Sequence, residues 1–210
     1  MTNLALAVLA FVGGHFLLSS GPVRGPVATR LGETAFSGAY SALMLAAFVW
    51  MVGAFRAAPY VPLWSVAPAA RMIPVLVMPF ACLLLVGSLT VRNPTMVMQS
   101  VAASGDPAPG LVKVTRHPML WAFALWALAH LIVNGEVAAL LLFGGIAVLA
   151  LAGTVAIDAK RRARDPDAFA RLASKTSNLP LAALIAAARR SASATSAGGA
   201  WGLRLSSMWR

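Results

Sequence analysis

The chain has 210 residues, of which 60% are hydrophobic and only 11% charged, with a mean hydropathy of +0.79. Soluble domains average nearer half apolar and a quarter charged, so the composition excludes an ordinary soluble domain and specifies an integral membrane protein. The formal charge of +11 does not imply a nucleic-acid partner, because the basic residues flank apolar segments and form no folded basic face; in a membrane protein they set orientation and meet anionic headgroups.

The first apolar segment, about Leu4 to Ser20, lacks a basic leader and a clean small-residue cleavage site. It is therefore expected to be a retained span and not a signal peptide. Four more follow: about Ala35 to Phe55, Met72 to Thr90, Pro118 to Val133 and Val137 to Ile157. A crossing helix needs roughly 20 residues, so the fourth is short and its ends should lie in the interface. Cys82, inside the third segment, is the single cysteine. It excludes an internal disulfide and a cysteine-based metal cluster, and is expected to be a buried packing thiol.

Between these segments, NGE at Asn134 to Glu136 predicts a tight turn joining the fourth and fifth spans, with Asn-Gly supplying left-handed backbone. The stretch from Arg92 to Arg116 contains Gly105, Pro107, Pro109 and Gly110 and should be irregular, lying outside the hydrocarbon or covered by protein. After Ile157, Asp158 can pair with Arg161 and Arg162 at helical spacing. Asp165 and Pro166 read as an N-cap and first helical residue. Leu181 to Arg190 is apolar but too short to cross, and suits a sixth helix lying flat at the surface. The fold class is thus an all-α polytopic transmembrane bundle of five spans plus this interfacial C-terminal helix. Residues 1–190 form the membrane domain, and residues 191–210, rich in Ser, Ala and Gly, form a disordered low-complexity tail.

Orientation follows from lysine and arginine. With the N-terminus periplasmic, only Arg56 and Arg71 face outward, and the other 15 of the 17 basic residues face the cytoplasm. The positive-inside rule therefore puts the C-terminus in the cytoplasm. The bilayer that fits is a bacterial inner membrane.

All three histidines lie in or beside apolar segments: His15 after Gly13 and Gly14, His130 one turn after Trp126, and His117 just before Pro118 beside Arg116. An intramembrane polar side chain needs a reason. One is packing, with the ring bonded to a backbone carbonyl or to a serine across a helix interface; His117 also suits an interfacial cap. The tryptophans at 121 and 126 likewise suit packing or interfacial anchoring. The other reason is metal chemistry, since neutral imidazole suits iron, copper and zinc. His117 and His130 are 13 residues apart, about 220° around a helix and roughly 20 Å along it, so they cannot share a metal. Any two-histidine site must include His15. Two imidazoles from separate helices can hold a b-type haem from both faces, whereas structural zinc wants four donors.

The stretch TRHPMLWAFALWALAHLIVNGE, preceded by LTVRNPT and followed by IDAKRRAR and TSNLP, resembles the NnrU family of bacterial membrane proteins from about Met1 to Arg190. That resemblance implies an accessory role in nitric oxide and nitrite metabolism in denitrifiers. The same superfamily holds the zeta-carotene isomerase, which binds haem b through two histidines and isomerises a polyene. The matching positions are His15 and His130, implied as axial ligands, with Trp126, Phe16 and Phe123 as candidate walls. His117 matches a histidine that is not a ligand. The implied partners are the bilayer and either a lipophilic small molecule or nitric oxide. The R-H-P motif is also similar to that of membrane methyltransferases, where Arg116 and His117 would help hold S-adenosylmethionine. Paired glutamates expected downstream are replaced here by the basic DAKRRARDPDAF. Along the bundle axis, His15 and His130 should differ in depth by roughly 13 Å. His15 and His117 lie closer and form the rival pair.

Overall fold

The structure is a computed structural model that describes residues 1–90, 108–186 and 188–189. The described residues are helical throughout apart from turns and one isolated bridge, Pro62 to Glu136. In chain order the helices are α1 (Thr2–Ser19), α2 (Gly21–Leu31), α3 (Glu33–Arg56), α4 (Met72–Thr90), α5 (Pro118–Val133), α6 (Val137–Arg164) and α7 (Pro166–Lys175), with 3-10 turns at Pro68–Arg71 and Gly110–Lys113. Four of them, α1, α3, α4 with the 3-10 turn before it, and α6, are long and apolar enough to cross a membrane; α5 is the shorter apolar helix of 16 residues. Their outward faces need an apolar solvent. Leu76, Phe80 and Leu83 lie at i, i+4 and i+7 of α4 and are each 60% exposed or more, a stripe that water would penalise and lipid tails accept. Cys82 is also exposed on this helix, so the thiol expected in the interior faces outward instead. The expected tail disorder at 191–210 and most of the expected irregular loop, residues 91–107, lie outside the described residues.

Two compact units divide the chain. The first comprises Met1–Leu85 and Met119–Ala156. Its core joins Leu4 and Ala7 of α1, Met51 and Ala54 of α3, Ala127 of α5, and Ala138, Ala139, Leu142, Phe143 and Ala147 of α6. Alanine dominates because helices in lipid associate by close van der Waals approach. Gly145 of α6 shows how close: a Cβ there would stand 2.6 Å from Val8 Cγ1 of α1. α2 was not evident in the sequence, since GPVRGPVATRL holds two glycines and two prolines. Pro22 falls in the first turn, where its missing N–H costs nothing, and the helix stops at Gly32, whose φ of 85° favours glycine.

The turn between α5 and α6 is as short as expected, but Gly135 is not left-handed; among the described residues the positive-φ glycines are Gly32 and Gly110. Its glycine is required by crowding instead. The carbonyl of Gly135 accepts from Leu63 N at 2.7 Å and Trp64 N at 3.2 Å, and Val137 N donates to Val61 O at 3.0 Å. The turn is therefore stitched to the 57–67 loop, and a Cβ on Gly135 would collide with the Trp64 carbonyl. Asn134 serves as a helix cap, its Nδ2 donating to His130 O at 2.7 Å.

The second unit comprises Val86–Pro118 and Ile157–Arg210. Asp165 caps α7 as expected, accepting from Ala168 N at 2.9 Å ahead of Pro166. α7 is amphipathic and buries Phe169 and Leu172, the latter in a small cluster with Ala108 and Val112. Beyond it, residues 182–186 are helical, within the stretch expected to be interfacial, and Leu181, Leu184 and Ile185 stay exposed.

Gly135→Ala should lower the stability of the protein in detergent by about 1–3 kcal/mol, the usual cost of forcing atoms into a packed site. A thermal melt checks this, and an unchanged midpoint would show that the turn is not pinned on Trp64.

Candidate functional site

The densest polar constellation lies in the second unit, around the R-H-P segment. Residues 112–117 run alongside residues 176–181 and exchange hydrogen bonds with them. Thr176 Oγ1 donates to Val112 O at 2.6 Å and Thr115 Oγ1 to Asn178 O at 2.6 Å. Arg116 N donates to Ser177 O at 3.0 Å and Leu181 N to Val114 O at 2.7 Å. Thr115, fully buried, also accepts from His117 N at 3.2 Å, which fixes the backbone just before Pro118 opens α5. These bonds satisfy backbone groups that would otherwise be buried without partners.

This frame aims Arg116 and His117 at one carboxylate. Arg116 Nε donates to both oxygens of Asp158 at 2.9 Å, and Nη2 to Oδ2 at 2.6 Å. His117 Nε2 lies 2.8 Å from Asp158 Oδ1. Asn178 Nδ2 stands further off, at 3.5 Å from Oδ2, and Arg116 Nη1 reaches Thr176 O at 3.4 Å. The His117 side chain is 1% exposed, Asp158 10% and Arg116 12%. Below, the guanidinia of Arg116 and Arg162 lie 5.6 and 5.0 Å from the Phe169 ring centroid, within cation–π range. Asp158 was expected to pair locally with Arg161 and Arg162. It does act electrostatically on Arg161, and it also hydrogen-bonds with Arg116, His117 and Asn178; it was not among the expected site residues. One signal was available: it is the first polar residue after the apolar run of α6.

The other two histidines, His15 and His130, lie in the first unit. His15 on α1 has its Nδ1 2.7 Å from Phe11 O, and its ring meets Phe11 and Tyr40 with centroids at 4.6 and 5.8 Å. His130 on α5 has its Nδ1 2.8 Å from Trp126 O, and its ring meets Trp126 and Phe143 at 5.3 and 5.4 Å. Both therefore donate Nδ1–H to the carbonyl one turn back, so in a neutral ring Nε2 would carry the lone pair. No hydrogen bond engages either Nε2 among the described residues, and both rings are half-buried. Beside His15, Gly14 admits Met44: a Cβ there would stand 2.8 Å from its Cε. Trp126 packs on His130 and on Phe143, at 5.2 Å. Phe123 is exposed and Phe16 half-buried.

The structure thus brings Trp126 to His130, and Arg116 to His117. His15 and His130 share no ring neighbour. His130 is one turn from Ala127, which belongs to the same buried cluster as Leu4 and Ala7, while His15 lies eight residues beyond Ala7, about 12 Å along α1. Among the described residues no group of three or more His, Cys, Asp or Glu is placed to hold a metal ion.

A family model described as NnrU protein matches residues 3–197, nearly the whole chain. No curated protein and no solved structure matches.

Asp158→Ala should destabilise the protein by about 3–5 kcal/mol, the scale for stranding one half of a buried ion pair. Hydrogen exchange should accelerate in residues 112–117 and 176–181. Unchanged protection there would show that the carboxylate does not organise the segment. Arg116→Lys should restore only part of the stability, because an ammonium cannot reproduce the guanidinium fork.

Proposed function

The chain belongs to the NnrU family, and we propose that it is a haem-b-binding protein of the bacterial inner membrane that serves nitric oxide and nitrite metabolism. In this reading it crosses the bilayer five times, α5 being the short span. The N-terminus is periplasmic and the C-terminus cytoplasmic, as the asymmetry of basic residues requires.

The observation that carries the proposal is the shared state of His15 and His130. Each ring spends its Nδ1–H on a carbonyl of its own helix, at 2.7 and 2.8 Å, and so presents a neutral Nε2. A hydrogen bond of this kind on the other ring nitrogen favours the ligating tautomer and fixes the ring. The donor chemistry fits haem iron, which asks the protein for axial imidazoles and an apolar slot. His117 does not offer the same donor, because its Nε2 is committed to Asp158; this also disfavours the rival pair of His15 with His117. A haem there would be held by His15 and His130 through their Nε2 atoms.

Bound there, haem supplies an iron centre that can take nitric oxide or polarise a double bond. The chain's own part is to hold the imidazoles, exclude water and admit ligands that dissolve in lipid. Nitric oxide and a polyene both do so, and the isomerase reading differs only in the substrate. The methyltransferase reading is weaker on geometric grounds: Arg116 and His117 already grip a carboxylate, that of Asp158.

Protein purified from haem-replete cells should show a Soret band and a b-type pyridine haemochrome. His15→Ala and His130→Ala should each abolish or shift the band, and His117→Asn should retain it. Nitric oxide should move the band of the reduced protein. A colourless preparation would end the haem reading. Turnover of a cis-polyene only when the iron is reduced would transfer it to the isomerase.

A further inference from the structure

A recess of about 240 Å³ opens at one end of the first unit, lined by Tyr60, Trp64, Arg71, Asn134 and Glu136 among others. Its walls are built. The 57–67 loop is hydrogen-bonded to Gly135 and Val137, and Trp64 Nε1 donates to Ile132 O at 3.3 Å. Arg71 immediately precedes α4 and Glu136 immediately precedes α6, so both charges sit where apolar helices begin. That is the level of lipid headgroups. Tyr60 and Trp64, both exposed, are the residue types that populate this zone.

Arg71 and Glu136 face one recess yet form no ion pair, and neither side chain hydrogen-bonds among the described residues. Opposite charges held apart at a membrane surface fit a molecule that carries both. We propose that the recess binds the phosphoethanolamine zwitterion of a membrane lipid. Arg71 takes the phosphate, for which the guanidinium fork is suited. Glu136 takes the primary ammonium through charge-assisted N–H donors. The acyl chains then run along the apolar helix faces. A choline headgroup lacks those N–H donors and keeps only cation–π contact with Trp64 or Tyr60. A glycerol headgroup offers no cation to Glu136. The site is independent of the haem reading and of which end of the bundle faces outward.

The test is lipid retention by the full chain in mild detergent, read by native mass spectrometry with phosphatidylethanolamine, phosphatidylcholine and phosphatidylglycerol in equal amounts. Wild type should retain phosphatidylethanolamine at least fivefold over the other two. Glu136→Gln should erase the preference over phosphatidylglycerol, and Arg71→Gln should reduce retention of all three. Equal retention of the three lipids by wild type would overturn the proposal, and needs no variant to fold. So would a Glu136→Gln chain that keeps the full preference. Displacement of the lipid by equimolar soluble glycerophosphoethanolamine would overturn the assignment to a lipid and leave a free zwitterion as the ligand.

Discussion

Asp158 is a single carboxylate that must serve two neighbours at once, the Arg116 guanidinium and the His117 ring. Its desolvation is tolerable only because both oxygens are filled, by the Nε and Nη2 fork on one side and by Nε2 on the other. A buried pair of this kind contributes less to net stability than its Coulomb energy suggests, since an apolar replacement of equal volume often does as well. What it supplies is placement. The start of α5, the polar end of α6 and the 176–181 stretch acquire one relative arrangement, with Thr115 and Thr176 spending their hydroxyls on carbonyls of the opposing segment. Removing a partner leaves a charge with nowhere to go, so the cluster forms whole or not at all.

His15 and His130 obey the same rule by other means. A polar atom in an apolar medium must find a partner or be costly. His15 and His130 each find one in the carbonyl four residues earlier, so half of each ring's requirement is met without any second helix. Packing alone would be satisfied by that bond. It would be equally satisfied by a serine or threonine, which can bond the same carbonyl and hides less polar surface. Imidazole differs in leaving a second nitrogen on each ring that no hydrogen bond engages among the described residues.

Much of the fold was legible because hydropathy and helix length are coupled in lipid. The bounds of α4 and α5 were readable to the residue, and α6 was read correctly from Val137 but extends past Ile157 to Arg164, since charged residues continue a helix once it leaves the apolar phase. α2 was not legible, because glycine and proline ordinarily signal turns; Pro22 falls in its first turn, but Pro26 lies inside the helix. Gly135 was identified as necessary for the wrong reason: sequence suggests backbone handedness, while the cause is the Trp64 carbonyl, contributed from a distant loop. Asp158 was read only in part, since its electrostatic link to Arg161 was legible. The i+3 and i+4 arginines are visible in sequence; partners 41 and 42 residues away are not. In each case the failure is one of long-range contact, which a local pattern does not encode.

The turn between α5 and α6 shows how such contacts concentrate consequences. Asn134 lines the recess and at the same time caps α5 through the carbonyl of His130. Gly135, its neighbour, carries the bonds from Leu63 and Trp64 that hold the opposite wall. The last turn of α5, which sets the His130 ring, is therefore one mechanical piece with the recess rim. A shift of the 57–67 loop cannot leave that turn in place, because the Gly135 carbonyl has two amides pulling on it and no room for a side chain.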